Sequence, residues 1–98
     1  MILHTLNKTR TQEDINHQLS ENICRSDSVI LIEDGVYQAL TITHNSLAHW
    51  ANIAEQVYIL KDDALARGIP LNLDSLSYID YEQFVALTLS HNKVISWY

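Results

Sequence analysis

Val29-Ile30-Leu31-Ile32 runs straight into Glu33-Asp34-Gly35. Apolar residues on four consecutive positions leave neither face of a strand suited to water, and a strand covered on both faces belongs to a parallel sheet flanked by helices. The acid-acid-glycine that follows is turn chemistry. Val57-Tyr58-Ile59-Leu60 repeats the pattern and ends on Lys61-Asp62-Asp63. Three more runs, Ile2 to Leu6, Leu76 to Ile79 and Val94 to Trp97, bring the set to five. The segments between them are long enough for crossover helices, which are almost always right-handed. The expected architecture is α/β, a single small domain over residues 1–98 with a mostly parallel five-stranded sheet flanked by helices.

The intervening segments carry helix punctuation. The first helix is expected over Gln12 to Cys24, with Thr9 or Thr11 as N-cap and Ile15, Leu19 and Ile23 on one face. A second is expected from about Ser46 to Glu55, capped by Asn45 or Ser46, with Leu47, Trp50 and Ala51 available for burial. The third is short, with Asp62 or Asp63 as cap, Arg67 at its end, Gly68 as a left-handed exit and Pro70 forbidding continuation. The fourth opens on Asp80 with Gln83 three residues on, a capping-box pair, presents Tyr81, Phe84, Val85 and Thr88 on one side, and ends at His91 and Asn92.

Composition narrows the function classes. The chain has 98 residues, 47% of them hydrophobic and 18% charged, which is a folding composition of single-domain size. Twelve acids against six bases give a formal charge of −6, the wrong sign for gripping a phosphate backbone, so direct nucleic-acid binding is not expected. No apolar run approaches the roughly 20 residues of a membrane span, and no targeting segment is expected. One cysteine makes neither an internal disulfide nor a multi-thiolate metal site, which fits a reducing compartment and makes the cytoplasm the expected location.

Few residues have the spacing that chemistry needs. In an open α/β sheet, functional groups gather beyond the carboxyl ends of the strands. Here those ends carry Thr5 to Asn7, Glu33 to Gly35, Lys61 to Asp63, and Asp80 to Tyr81. Glu33, Asp34 and Asp62 could hold Mg²⁺, but they equally serve as turn formers and helix caps. Gly35 stands alone, without the glycine pattern or lysine of a phosphate cradle. Among the five histidines, His44 and His49 lie five apart and diverge by roughly 140° on a helix. His4 lies within the first run and reads as a hydrogen-bonded structural residue. Cys24 is the one soft nucleophile. It sits at the C-terminal end of the first helix, where the dipole opposes a thiolate, and roughly 140° from the apolar stripe, so exposure without activation is expected. Trp97 and Tyr98 close the chain, and with Tyr37 and Trp50 they are the candidate interface aromatics, ordinary core packing being the other reading. No metal or cofactor is expected.

The opening Ile2-Leu3-His4-Thr5-Leu6-Asn7-Lys8, the block Val29 to Tyr37, and Val57-Tyr58-Ile59-Leu60 followed by Asp63, Leu65, Ala66, Arg67 and Gly68 form three blocks of a pattern. A fourth runs from Ile79-Asp80-Tyr81 through Phe84-Val85 and Leu87-Thr88 to His91 and Trp97. Together, in order and spacing, they resemble the TusB/DsrH family over essentially the whole chain. The resemblance implies a DsrE-like fold and a subunit of a cytoplasmic heterohexamer, two copies each of three homologous chains, here with TusC-like and TusD-like partners. In the tRNA-modifying branch the complex passes persulfide sulfur from a TusA-like carrier to a TusE-like one, and a thiouridylase then installs 2-thiouridine at the wobble position. The working cysteine belongs to the TusD-type chain, and the TusB-type chain serves the assembly. Relatives in the sulfur-oxidising DsrH branch carry a cysteine nearer the middle of the first helical segment. The stretch Asn16 to Ser20 has none, which favours the tRNA-modifying branch. The expectation is a non-catalytic structural subunit that can pair with itself when isolated. The competing expectations are a sulfurtransferase carrying persulfide on Cys24 and a free-standing ligand- or metal-binding module built on the acidic rim.

Overall fold

A computed structural model describes residues 1–7, 19, 21–39, 54–71 and 76–97. Five strands, β1 (Ile2–Leu6), β2 (Ser28–Leu31), β3 (Gln56–Leu60), β4 (Ser77–Ile79) and β5 (Lys93–Trp97), form one sheet in the order β4-β3-β2-β1-β5. Every pairing is parallel, the last strand included. The five expected runs match these strands to within a residue at each end. β2 is central and all four of its residues are buried, as its unbroken apolar run requires.

Between them lie a 3-10 helix over Glu33–Gln38, α1 (Lys61–Ala66) and α2 (Tyr81–Ser90). Leu19, Glu21 and Asn22 are helical, and Leu19 and Ile23 enter the core. Most of the first expected helix, including Ile15, and residues 46–53 of the second lie outside the described residues, as do Trp50 and Tyr98. Ala54 and Glu55 are already non-helical and lead into β3.

Strand order decides which face each connection covers. The chain steps outward from β1 through β2 and β3 to β4, then reverses to place β5 on the far side of β1. With right-handed crossovers, reversing the direction moves the connecting helix to the opposite face. One core accordingly gathers Leu6, Val29, Leu31, Val57 and Ile59 under Leu19, Ile23, Val36, Ala39, Ala64 and Ile69 from the first three connections. The other holds Leu3, Ile30 and Ile79 under Phe84 and Leu87 of α2. Five strands span about 19 Å at the usual inter-strand spacing, and one helix about 10 Å wide covers only part of that. Val94, on β5, is left 39% exposed.

Two local expectations are corrected. Neither Asp62 nor Asp63 caps α1, because β3 runs into the helix with no residue between them and Leu60 occupies the cap without a side-chain bond. The two acids stand in the first turn instead, where the dipole favours them. On α2, Tyr81, Phe84, Val85 and Thr88 do not share one side. Phe84 and Leu87, three apart, face the sheet, while Tyr81, Val85 and Leu89 point outward. The capping box is present: Gln83 N–H donates to Asp80 Oδ1 at 2.8 Å and Asp80 N–H to Gln83 Oε1 at 3.0 Å. Gly68 takes the left-handed exit at φ 70.

Candidate functional site

The carboxyl ends of the strands bring the acidic residues to one rim, and local bonding determines what they can do there. Ile32 N–H donates to Leu6 O at 3.0 Å, which carries the chain from β2 across the end of β1. Glu33 then turns with φ 49, a left-handed conformation unusual for a residue with a Cβ. Its N–H is held by Asp63 Oδ2 at 2.7 Å. Gly35 follows with its N–H on Ile32 O at 2.8 Å. A Cβ on Gly35 would stand 2.0 Å from Leu6 O, so this glycine is required by close approach to the end of β1. The amides of Glu33 and Gly35, which a phosphate cradle would leave free, are both occupied.

Two of the acids, Asp34 and Asp63, are similarly engaged. Asp34 pairs with Arg67 at 3.0 Å and holds its guanidinium pKa above the ordinary value through that hydrogen bond. Asp63 serves Glu33. Among the described residues, no three His, Cys, Asp or Glu side chains converge as a metal-holding group. What the rim does contain is a cleft of about 340 Å³ lined by Ile32, Glu33, Leu60, Asp62, Asp63, Tyr81 and Phe84.

A second constellation lies toward the amino ends of β1 and β2. His4 and Asp27 are 1% and 2% exposed and lie 3.0 Å apart, Nε2 to Oδ2. Trp97 Nε1 reaches His4 Nδ1 at 3.0 Å, with the rings stacked at 6.1 Å. The Asp27 carboxylate also accepts the N–H of Ile2 at 2.9 Å and of Cys24 at 3.0 Å. Burial pushes its pKa up, but the hydrogen bonds from His4, Cys24 and Ile2 outweigh that and hold it below the ordinary value. This is a structural network with no opening to solvent at His4. His4 is thus the hydrogen-bonded strand residue that the sequence led us to expect. Asp27, its partner, was not singled out. The available signal was an acid directly before a fully apolar strand, a position where burial demands partners.

Cys24 is exposed, just past the helical residues of the first connection. Its backbone is tied to Asp27, which places it at the amino end of the sheet, across the length of β2 from the acidic rim. Trp97 is half-buried, packed against the core and bonded to His4, and Tyr37 is 40% exposed on the 3-10 helix. Neither aromatic is among the described residues that line the cleft. Among the described residues, no helix is long and apolar enough to cross a membrane.

A family model described as "DsrH like protein" matches residues 9–94. Protein TusB of Pectobacterium parmentieri is 33% identical over 100 aligned residues, covering 98% of this chain and 100% of that protein. Protein TusB of Buchnera aphidicola subsp. Schizaphis graminum is 37% identical with the same coverage. The solution NMR structure of protein Tm0979 from Thermotoga maritima superposes with a TM-score of 0.68 at 26% identity, covering 93% of this chain and 94% of that one. With the family model matching residues 9–94 and these relatives covered from end to end, the chain belongs to the TusB/DsrH family.

Proposed function

We propose that this chain is a non-catalytic structural subunit of a TusBCD-type heterohexameric sulfur relay in the cytoplasm, supporting 2-thiolation of the tRNA wobble uridine. The observation that carries the reading is its likeness to TusB proteins over their full length. Its partners on this reading are TusC-like and TusD-like chains, with TusA-like and TusE-like carriers delivering and removing sulfur. Tyr37, Trp50, Trp97 and Tyr98 are the proposed interface aromatics.

One observation favours the competing reading, in which persulfide is carried on Cys24: the thiol is exposed. Against it, the neighbouring carboxylate of Asp27 is spent on backbone N–H groups and His4, so it is not free to act as a base toward the thiol. Cys24 also lies at the amino end of the sheet, whereas chemistry in open α/β sheets gathers at the carboxyl ends.

The test is reconstitution with the TusC-like and TusD-like chains, native mass of the product, and labelled sulfur supplied from the upstream carrier. A heterohexamer with label on a partner's cysteine and none on Cys24 is expected. Label on Cys24 would transfer the carrier role to this chain.

A further inference from the structure

The outer side of α2 carries Tyr81, Val85 and Leu89 at steps of four, 63%, 48% and 82% exposed. A helix on a sheet ordinarily turns polar residues outward. A run of large apolar side chains there marks a surface that something covers. At its N-terminal end the stripe opens into the cleft between the ends of β2 and β3 and the start of α2. Tyr81 belongs to both, so stripe and cleft form one continuous surface. Tyr81 and Phe84 meet edge to face, with centroids 6.0 Å apart, and form the aromatic wall of the cleft.

Charge selects the occupant. Glu33, Asp62 and Asp63 line the cleft, and no lysine or arginine is among its described lining residues. Arg67 is held by Asp34. The N-termini of α1 and α2 bring at most about half a positive charge each, so the three carboxylates leave the described lining net negative. An aromatic wall beside carboxylates favours a cation with an apolar stem, which is how lysine and arginine side chains are built.

We infer that this surface docks a segment of a partner protein that has an apolar face ending in lysine or arginine. The apolar face covers Tyr81, Val85 and Leu89, and the cation enters the cleft between Tyr81 and the carboxylates. The inference rests on reading the chain as a subunit of an assembly, and it adds the chemistry of what one surface receives.

Two fluorescently labelled amphipathic peptides with the same apolar face test it, one tipped with arginine and the other with glutamate, each titrated into the full chain by anisotropy. The arginine peptide is expected to bind and the glutamate peptide not. Combining Glu33→Gln with Asp62→Asn should weaken the arginine peptide about three- to tenfold, and Leu89→Ser should weaken it without altering its preference for arginine. Equal binding of both peptides, or binding of neither, overturns the inference. So does a concentration-dependent dimer that Leu89→Ser abolishes while no peptide binds, since a second copy would then be the occupant. The peptides need no partner subunit, so their failure leaves the reconstitution test standing.

Discussion

The indole N–H of Trp97 donates to Nδ1 of His4 at 3.0 Å, joining side chains 93 residues apart. Tryptophan can only donate, so Nδ1 must accept and Nε2 carries the proton that goes to Asp27. Asp27 in turn holds Ile2 and Cys24 by their backbones. One polar chain therefore ties the edge strand β5 to β1 and to the loop before β2. In such a buried network each member's removal strands another.

Trp97→Phe keeps a ring against the core and deletes the donor. His4 Nδ1 is then left unpaired, at an expected cost of about 1–3 kcal/mol. Trp97→Ala should cost more, about 3–5 kcal/mol, because the packing is lost as well. Urea unfolding of both variants checks this, and a Phe variant as stable as the parent would show that the bond contributes nothing. The same contact qualifies any assembly experiment that deletes Trp97 and Tyr98, since lost co-purification must first be separated from lost folding.

Asp27 should make stability depend on acidity. Its carboxyl titrates below the ordinary value of 3.8 in the folded chain, so the unfolded chain binds its proton first as pH falls. The stabilisation is therefore fully present above about pH 4 and is lost progressively below it, as pH falls through the folded value. Asp27→Asn removes this contribution. Its stability at neutral pH should drop by about 1.5–3 kcal/mol, since a neutral amide replaces a charged acceptor of three hydrogen bonds. The gap from the parent should narrow as both are acidified below pH 4. A constant gap across that range would mean that the carboxylate's charge is not what stabilises.

How legible the molecule is from its sequence follows from the range of each interaction. Strands β1 to β5 are local apolar runs, and the Asp80/Gln83 box and Gly68 exit are signals within a few residues, so all were readable. The direction of β5 and the partners of His4 depend on contacts 23 to 93 residues away, which no local pattern encodes. The split of α2 into a packed Phe84–Leu87 side and an exposed Tyr81–Val85–Leu89 side required knowing which face of the sheet it lies on. The 3-10 helix at Glu33–Gln38 was hidden because Asp34-Gly35 reads equally well as a plain turn. Of the candidate site, the acidic rim and Tyr81 were visible as residues at strand ends, whereas the cleft that sets Tyr81 and Phe84 beside the acids was not.

The two glycines separate steric from conformational cost. Gly35→Ala would place Cβ 2.0 Å from Leu6 O and 2.8 Å from Leu6 C, backbone atoms that cannot swing aside. The 3-10 helix would have to lift off the end of β1, at an expected loss of about 2–4 kcal/mol. Gly68→Ala meets nothing within 4 Å, and its cost is only that of a Cβ at φ 70, about 1 kcal/mol. Thermal unfolding of the pair should rank Gly35→Ala well below Gly68→Ala, and the reverse order would contradict the close approach.

Cys24→Ala distinguishes function from stability at one position. The side chain is exposed, and the bond that Cys24 makes to Asp27 uses its backbone N–H, which alanine retains. The variant should therefore unfold within about 0.5 kcal/mol of the parent. In the reconstituted complex it should pass sulfur at the parental rate if the carrying cysteine belongs to a partner. An unchanged midpoint with abolished transfer would mean that the thiol itself carries persulfide. An unchanged midpoint with unchanged transfer would leave this chain the role of holding others in place.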